Sequence, residues 1–281
     1  MMETMDLPNG RTLDFSRAPL VMAIVNCTED SFYAGSRNAS AEAAVECALA
    51  AERAGAAIVD FGAESTRPGA AYVAVDEELS RLLPVVEGFR KRSRLPVSID
   101  TRKFAVARRA LEAGADIIND VSALEDSPEI GALCAERGAS LVLMHKKGVP
   151  QDMQDKPYYD DVVAEVVAYL AAAAERAQTA GIPARRIILD PGIGFGKRLQ
   201  DNLDLLAHFD KLVALGYPTL MALSRKAFIG KITGRDTDAR LAGTMAANAY
   251  ALFKGAHIIR AHDVGEAVDL ANVFYAIRGR P

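Results

Sequence analysis

One phrase recurs along the chain: a Gly-Ala pair, then a short β-branched or leucine-rich run, then a polar residue. It reads AGAAIVD at 54–60, AGADIIND at 113–120, RGASLVLMH at 137–145 and KGAHIIRAH at 254–262. Each copy follows a segment rich in Ala, Glu and Leu. Glycine at such a junction suits the left-handed cap of a helix that ends there. The apolar run after it suits a strand buried on both faces, which is the condition of strands in a parallel sheet. A helix that hands over again and again to a buried strand restricts the chain to α/β architectures.

Further strands fit VMAIVN at 21–26, PVSID at 96–100, RIILD at 186–190 and PTLMALS at 218–224, making eight. Amphipathic helical stretches lie between them at roughly 39–54, 75–92, 103–113, 127–137, 159–180, 201–215, 238–254 and 264–278. Strict alternation over 281 residues predicts an α/β fold, a (β/α)8 TIM barrel, whose usual length is about 250 residues. Two doubly wound domains are the alternative, but no Pro/Gly/Ser-rich linker or composition shift divides the chain. One domain over 1–281 is therefore expected. Residues 5–16, beginning MDLPNGRTLDF, read as an N-terminal β-hairpin within an extension over 1–20 that covers the barrel bottom.

Charge and cysteine usage narrow the function classes. Lys and Arg number 33 against 37 Asp and Glu, a net charge of −4, so the basic excess of a general nucleic-acid binder is lacking. No apolar run approaches the about 18–20 residues that span a bilayer. The opening MMETMDLPNGR carries Glu3 and Asp6 and has no apolar stretch of the signal-peptide kind. Cys27, Cys47 and Cys134 are odd in number, widely spaced and in no CxxC pair, which points to a reduced, cytoplasmic setting.

In a barrel, chemistry collects at the C-terminal ends of the strands. Those ends read Asn26, Asp60, Asp100, Asn119, His145, Asp190, Ser224, and Arg260 with His262. One polar strand end only marks where a strand leaves the core; eight would converge on one pocket. The loops at 27–38, 62–74, 146–158 and 192–200 are long, the last of them glycine-rich, and long loops in compact domains tend to be functional. The set sorts by charge. Asp60, Asp100 and Asp190 suit a cation, a metal or the N–H edge of a polar heterocycle; a carboxylate makes a two-point hydrogen bond to the N–C–N edge of a guanine-like or pterin-like ring. Arg67, Lys226, Arg260 and His262 suit an anionic group such as phosphate or diphosphate. Together they read as a site for a ring bearing a phosphate tail.

Single motifs say less. DPGIGFGK at 190–197 has neither the Walker glycine spacing nor a hydroxyl after Lys197, and it does not meet GxGxxG. Alone it is a tight turn or a ring-contacting loop. STRPGA at 65–70 is a solvated turn or an anion clamp, and SRKAFIG at 224–230 sets Arg225 and Lys226 just after the seventh strand. The first strand ends Val25-Asn26-Cys27, without the His-x-His pair of an amidohydrolase-type metal site. Lys226 lies beyond its strand, unlike the Schiff-base lysine of a barrel aldolase.

Taken in order, the motifs resemble the dihydropteroate synthase family over nearly the whole chain. IVNCTEDSF at 24–32, VDFGAESTRPGA at 59–70, SIDTRK at 98–103, INDVSAL at 118–124 and LMHKKGVPQDMQ at 143–154 resemble its earlier motifs. DPGIGFGK, SRKAFIG and IRAHDV at 259–264 resemble its last three. The resemblance implies a transferase that joins 6-hydroxymethyl-7,8-dihydropterin diphosphate to 4-aminobenzoate, giving 7,8-dihydropteroate and diphosphate, with Mg²⁺ assisting. It implies competition by sulfonamides with 4-aminobenzoate, and a homodimer through the last two helices. It implies pterin contacts at Asp100, Asn119, Met144, Asp190 and Lys226, and a diphosphate site at Asn26, Arg67, Arg260 and His262, with Asn26 also near Mg²⁺. It further implies that Thr66, Pro68 and Phe195, with Lys226, line the 4-aminobenzoate pocket, and that Asp100, Asp190, Lys226, Arg67 and Arg260 carry the catalysis.

The chain departs from the family pattern at Glu29, in place of Pro, and at Tyr33 and Ala34, in place of a Ser-Asp pair. Ala227 replaces a serine beside Lys226, and Ala222 and Ala63 replace glycines. These departures bear on 4-aminobenzoate affinity more than on pterin affinity. A pterin-binding methyltransferase barrel, which would deliver a methyl group to a corrinoid, and a non-catalytic pterin-binding relative are the competing readings. A methyltransferase has no diphosphate to clamp.

Overall fold

The computed structural model describes residues 4–27, 37–64, 72–148, 153 and 157–278. A small antiparallel hairpin comes first: β1 (Thr4–Asp6) pairs with β2 (Thr12–Asp14) across a turn at Pro8–Gly10. Strict alternation follows. It runs β3 (Leu20–Asn26), α1 (Arg37–Arg53), β4 (Ile58–Gly62), α2 (Val75–Arg90), β5 (Val97–Asp100), α3 (Phe104–Glu112), β6 (Ile117–Asp120), α4 (Glu129–Arg137) and β7 (Ser140–Met144). The second half runs α5 (Val162–Thr179), β8 (Ile187–Asp190), α6 (Leu199–Ala207), α7 (Asp210–Val213), β9 (Leu220–Ala222), α8 (Ala227–Thr233), α9 (Leu241–Phe253), β10 (Ile258–Ala261) and α10 (Val264–Arg278).

Among the described residues the sheet has eight parallel strands in the order β8-β7-β6-β5-β4-β3-β10-β9. A parallel bridge between Leu189 and Thr219 joins the two ends and closes the barrel. The expected (β/α)8 architecture and the N-terminal hairpin are both present.

The recurring glycines do what the repeat requires. Gly55, Gly114, Gly138 and Gly255 all have φ between 65° and 103°, the left-handed region that ends a helix without a Cβ penalty. Elsewhere a side chain does the capping: Asp161 accepts from the N–H groups of Val163 and Ala164 at the start of α5. Two expectations shift. The helix read at 201–215 is broken into α6 and α7, because His208 leaves the helical region (ψ 25°) and the chain turns to bury Phe209. A short helix outside the expected stretches, α8, starts inside SRKAFIG and is closed by Gly234 at φ 69°.

Side-chain alternation divides the core in two. Val59, Phe61, Val97, Ile99, Ile118, Leu141, Leu143 and Ile259 pack outward against the helices. Met22, Ile58, Ile117, Val142, Ile188, Leu220 and Ile258 form a separate cluster, filled from below by Met5, Leu7 and Leu13 of the hairpin. The hairpin is thus the plug of the barrel bottom. It is held there by a fully buried carboxylate: Asp116 accepts from Arg11 Nη1 (2.7 Å), Arg90 Nη2 (2.6 Å) and the Val97 N–H (3.0 Å). Burial raises the Asp116 carboxyl above its usual pKa, while the Val97 N–H and the two guanidinium groups oppose that. Removing one member of a buried pair leaves the others uncompensated. Asp116→Ala is therefore expected to lower stability by about 3 kcal/mol in urea unfolding. A loss indistinguishable from zero would show that the hairpin latch contributes nothing.

Candidate active site

Two residues further along five of these seven strands, the inward face changes character. Above the apolar layer come Asp60, Asn119, Met144, Asp190 and Arg260, with Asp100 beside them at the end of β5. Asp100, Asn119 and Gly62 lie opposite one another in register, as do Met144 and Asp190.

Arg260 organises this layer. Its Nε donates to Asp60 Oδ2 (2.7 Å) and its Nη2 to Asp100 Oδ2 (3.0 Å), and Asn119 Nδ2 donates to the same Asp60 oxygen (3.2 Å). Asp60 does not end its strand as the repeat suggested. β4 continues to Gly62, which leaves Asp60 in mid-strand and fully buried. Its Oδ1 has no hydrogen-bond partner among the described residues. Burial pushes the Asp100 carboxyl upward, Arg260 pulls it back, and the neighbouring Asp60 adds to the rise. Asp190 is likewise raised by burial, against the Gly192 N–H and the charges of Lys226, Arg260 and Lys197. Two desolvated carboxylates therefore face the pocket within reach of three cations.

The DPGIGFGK loop, left open above between tight turn and ring contact, turns on glycines. Asp190 Oδ1 accepts from the Gly192 N–H at 2.7 Å. Gly192 (φ 65°) and Gly196 (φ 62°) each sit so close to the preceding βα loop that a Cβ would overlap the carbonyl oxygens of His145 and Lys147 respectively. This close approach brings the Phe195 ring beneath Lys226, whose Nζ lies 4.2 Å from the ring centroid.

At β9 and β10 the turn is strained and held from several sides. Arg225 adopts φ 55°, a costly conformation for a residue with a side chain. Its N–H donates to Thr244 Oγ1 (3.1 Å), Arg240 donates to its carbonyl (3.0 Å), and its guanidinium meets both oxygens of Asp263 at 3.1 and 2.6 Å. This fixes the direction in which the chain delivers Lys226. His262 is oriented by Ser224, whose Oγ lies 3.2 Å from the His262 N–H and 3.0 Å from Nδ1.

Thr66, Arg67 and Pro68 lie outside the described residues, as do Glu29, Tyr33 and Ala34. The stems of the loop bearing Arg67 are tied together. Glu64 Oε1 accepts from the Val73 N–H (3.1 Å), while Lys103 reaches Glu64 (3.1 Å), the Val73 carbonyl (2.7 Å) and Glu78 (2.5 Å). Sequence reasoning passed over Glu64, Glu78, Lys103, Lys197 and Asp263. All but Glu78 sit inside quoted motifs, but nothing in their spacing showed which groups they meet.

Asn26 ends β3, in register with Gly62. Among the described residues no group of three His, Cys, Asp or Glu side chains is placed to hold a metal ion. One carboxamide oxygen fits an ion that arrives on a phosphorylated ligand, since Mg²⁺ commonly keeps its waters and takes few protein ligands. No helix is long and apolar enough to cross a membrane, among the described residues.

A (β/α)8 barrel whose mouth carries buried carboxylates, an amide and a lysine stacked on an aromatic ring is the scaffold of an enzyme that takes a polar heterocycle. Comparison with known proteins narrows the class. Residues 22–262 match the family of pterin binding enzymes. The dihydropteroate synthase of Escherichia coli K12 is 44% identical over 267 residues, covering 95% of this chain and 94% of that relative. The dihydropteroate synthase of Xanthomonas albilineans, solved with 4-aminobenzoic acid, is 45% identical and superposes with a TM-score of 0.93 over 100% of both chains. Its complex with 7,8-dihydropteroate gives 42% identity and a TM-score of 0.88, over 98% of this chain and 100% of that one. The chain belongs to the dihydropteroate synthase family.

Two glycines of positive φ, one crowded and one open, make a paired test. Gly216 also has positive φ (84°), but a Cβ there meets nothing within 4 Å. Gly216→Ala should cost only the left-handed penalty, about 1–2 kcal/mol. Gly192→Ala should cost clearly more, because the Asp190–Met144 side of the pocket must move as well. Equal losses in denaturant unfolding would refute the close-approach account.

Proposed function

We propose that this barrel condenses 6-hydroxymethyl-7,8-dihydropterin diphosphate with 4-aminobenzoate, giving 7,8-dihydropteroate and diphosphate. The observation that carries the reading is the polar layer itself. Asp100 and Asn119, fixed by the Arg260–Asp60 lattice, share the barrel mouth with Asp190 and with Lys226 stacked on Phe195.

In this reading Asp190 and Asp100 accept from the N–H edge of the pterin, Asn119 and Lys226 complete the polar contacts, and Met144 packs beside the ring. The carbon–oxygen bond to diphosphate breaks early, leaving a dihydropterin cation that the two carboxylates stabilise from fixed positions. The aromatic amine then attacks the exocyclic carbon, forms the carbon–nitrogen bond and releases its proton afterwards, so little general-base assistance is needed. Arg67 and His262, with Asn26, bind the departing diphosphate. Arg260 adds positive charge there while holding Asp60 and Asp100. Thr66, Pro68 and Phe195 form the walls around 4-aminobenzoate. Mg²⁺, held by Asn26 and the diphosphate when bound, would neutralise charge on the leaving group.

A homodimer goes with this reading. Exposed apolar side chains gather on the last two helices: Tyr250 and Phe253 on α9, and Val273, Tyr275 and Ile277 on α10, with Phe253 76% and Ile277 68% exposed. Contiguous exposed apolar surface marks an interaction site, and a second copy of the chain is the occupant proposed. Phe253→Glu is expected to shift the sedimentation coefficient from dimer to monomer; a wild-type protein that sediments as a monomer would overturn this. A cytoplasmic setting is proposed as well, because a reducing compartment suits three cysteines that form no disulfide.

Diphosphate release from the dihydropterin diphosphate, measured with and without 4-aminobenzoate, tests the activity. Aminobenzoate-dependent dihydropteroate is expected, and Asp190→Asn should lower kcat/KM by about 10²-fold or more. A wild-type enzyme that forms no aminobenzoate-dependent product refutes the reading.

A further inference from the structure

Lys197 closes the DPGIGFGK loop, yet the chemistry proposed above makes no use of it. It is 3% exposed, and a lysine is almost never buried unless it is paired. Its Nζ lies 2.9 Å from His145 Nδ1, 2.9 Å from the Gly192 carbonyl, 3.1 Å from the Phe195 carbonyl and 3.3 Å from the His145 carbonyl. These are acceptors from two different βα loops, the one after β7 and the one after β8.

We propose that Lys197 is a positioning residue for 4-aminobenzoate: its ammonium locks the loop after β8 onto the loop after β7 and thereby fixes Phe195 under Lys226. This inference rests on the synthase reading.

Three observations support it. First, the loop is built on glycine and its own hydrogen bonds lie within its βα unit: the Gly194 N–H donates to Asn202 Oδ1 (2.7 Å) and the Phe195 N–H to the Gly192 carbonyl (3.1 Å). Gly192, Gly194 and Gly196 alternate along it, all at positive φ, and glycine has more backbone freedom to lose than any other residue. Asp190, by contrast, belongs to the strand ladder of β8. Second, the donors are fully used: four acceptors, two of them on His145, surround three N–H groups. An ammonium has three N–H donors and no acceptor, so a charged Lys197 takes the lone pair of His145 Nδ1 and leaves the ring proton on Nε2; burial pushes Lys197 down to about 7, against the pull of Asp190. Burial, followed by the charge of Lys197, pushes His145 down to about 3, which keeps the imidazole the neutral acceptor that this geometry needs. Third, the anchor is itself braced. The His145 ring packs edge-on against Tyr169 at 4.8 Å, and Tyr159 donates to the Gly196 carbonyl at 2.8 Å.

The test is a set of variants in the folded full chain. In Lys197→Met the KM for 4-aminobenzoate should rise about tenfold or more, since a misplacement of about 1 Å is enough for such losses. The kcat and the Kd for the dihydropterin diphosphate, read by calorimetry, should stay within about threefold. His145→Asn keeps an acceptor near the Nδ1 position and should hold the aminobenzoate KM close to wild type, whereas His145→Leu should raise it. Amide hydrogen exchange over residues 192–196 gives a readout independent of turnover, and it should quicken in Lys197→Met. An aminobenzoate KM and an exchange rate that both match wild type in Lys197→Met overturn the proposal. Should that variant fail to fold, equal KM values for His145→Leu and His145→Asn overturn it instead. A wild type that makes no dihydropteroate defeats the synthase reading, and the exchange comparison then still decides whether Lys197 locks the loop.

Discussion

A single buried cation holds the mouth of this barrel together. Arg260 enters the lumen from β10 and reaches across to β4 and β5 through Asp60 and Asp100. Without it, two carboxylates would stand side by side in a desolvated layer; Arg260 opposes the upward push that burial and Asp60 give the Asp100 carboxyl. With it, Asp60 also receives Asn119, so residues from four strands share one set of hydrogen bonds. A guanidinium suits the task because it stays charged and presents several donors in a fixed plane. The result is a preorganised wall: the polar groups that a substrate would meet are already oriented.

The same pattern explains why polarity is tolerated so deep in the molecule. Alternation along the strands sends every second residue into the lumen. The lower of the inward layers is apolar and sealed by Met5, Leu7 and Leu13, so the upper one can remain hydrogen-bonded and open to ligand. Stability resides below and chemistry above, as is usual for barrels.

Most of the architecture was legible in the sequence, because burial on both faces makes each strand a continuous apolar run and the Gly-Ala junctions mark where helices stop. The departures have local causes. β4 runs past Asp60 because its carboxylate finds Arg260 on a strand 200 residues away, a pairing that no local periodicity reveals. The break at His208 follows from burying Phe209, a tertiary demand. Of the site, the strand-end residues could be read off directly, whereas the residues that hold them could not. Lys103 and Lys197 look like ordinary surface charges in sequence, and only the fold shows that each is buried against carbonyls and side chains from distant segments. Met144, Asn119 and Asp190 show their place at the barrel mouth in their position along the repeat; Lys197 shows its burial between two loops only in its contacts.

The plug at the bottom of the barrel has a consequence for the order of assembly. The partners of the hairpin lie far downstream: Asp116 is 105 residues beyond Arg11, Ser140 is 135 beyond Met5, and Arg186 is 180 beyond Asp6. At about 5–20 residues per second of synthesis, the segment waits roughly 10–40 s on the ribosome before the last of these contacts exists. Throughout that interval Met5, Leu7 and Leu13 have no lumen to enter. A hairpin this short is not stable alone in water, so the piece made early is among the last to be placed, and its docking reports that the barrel above it has closed.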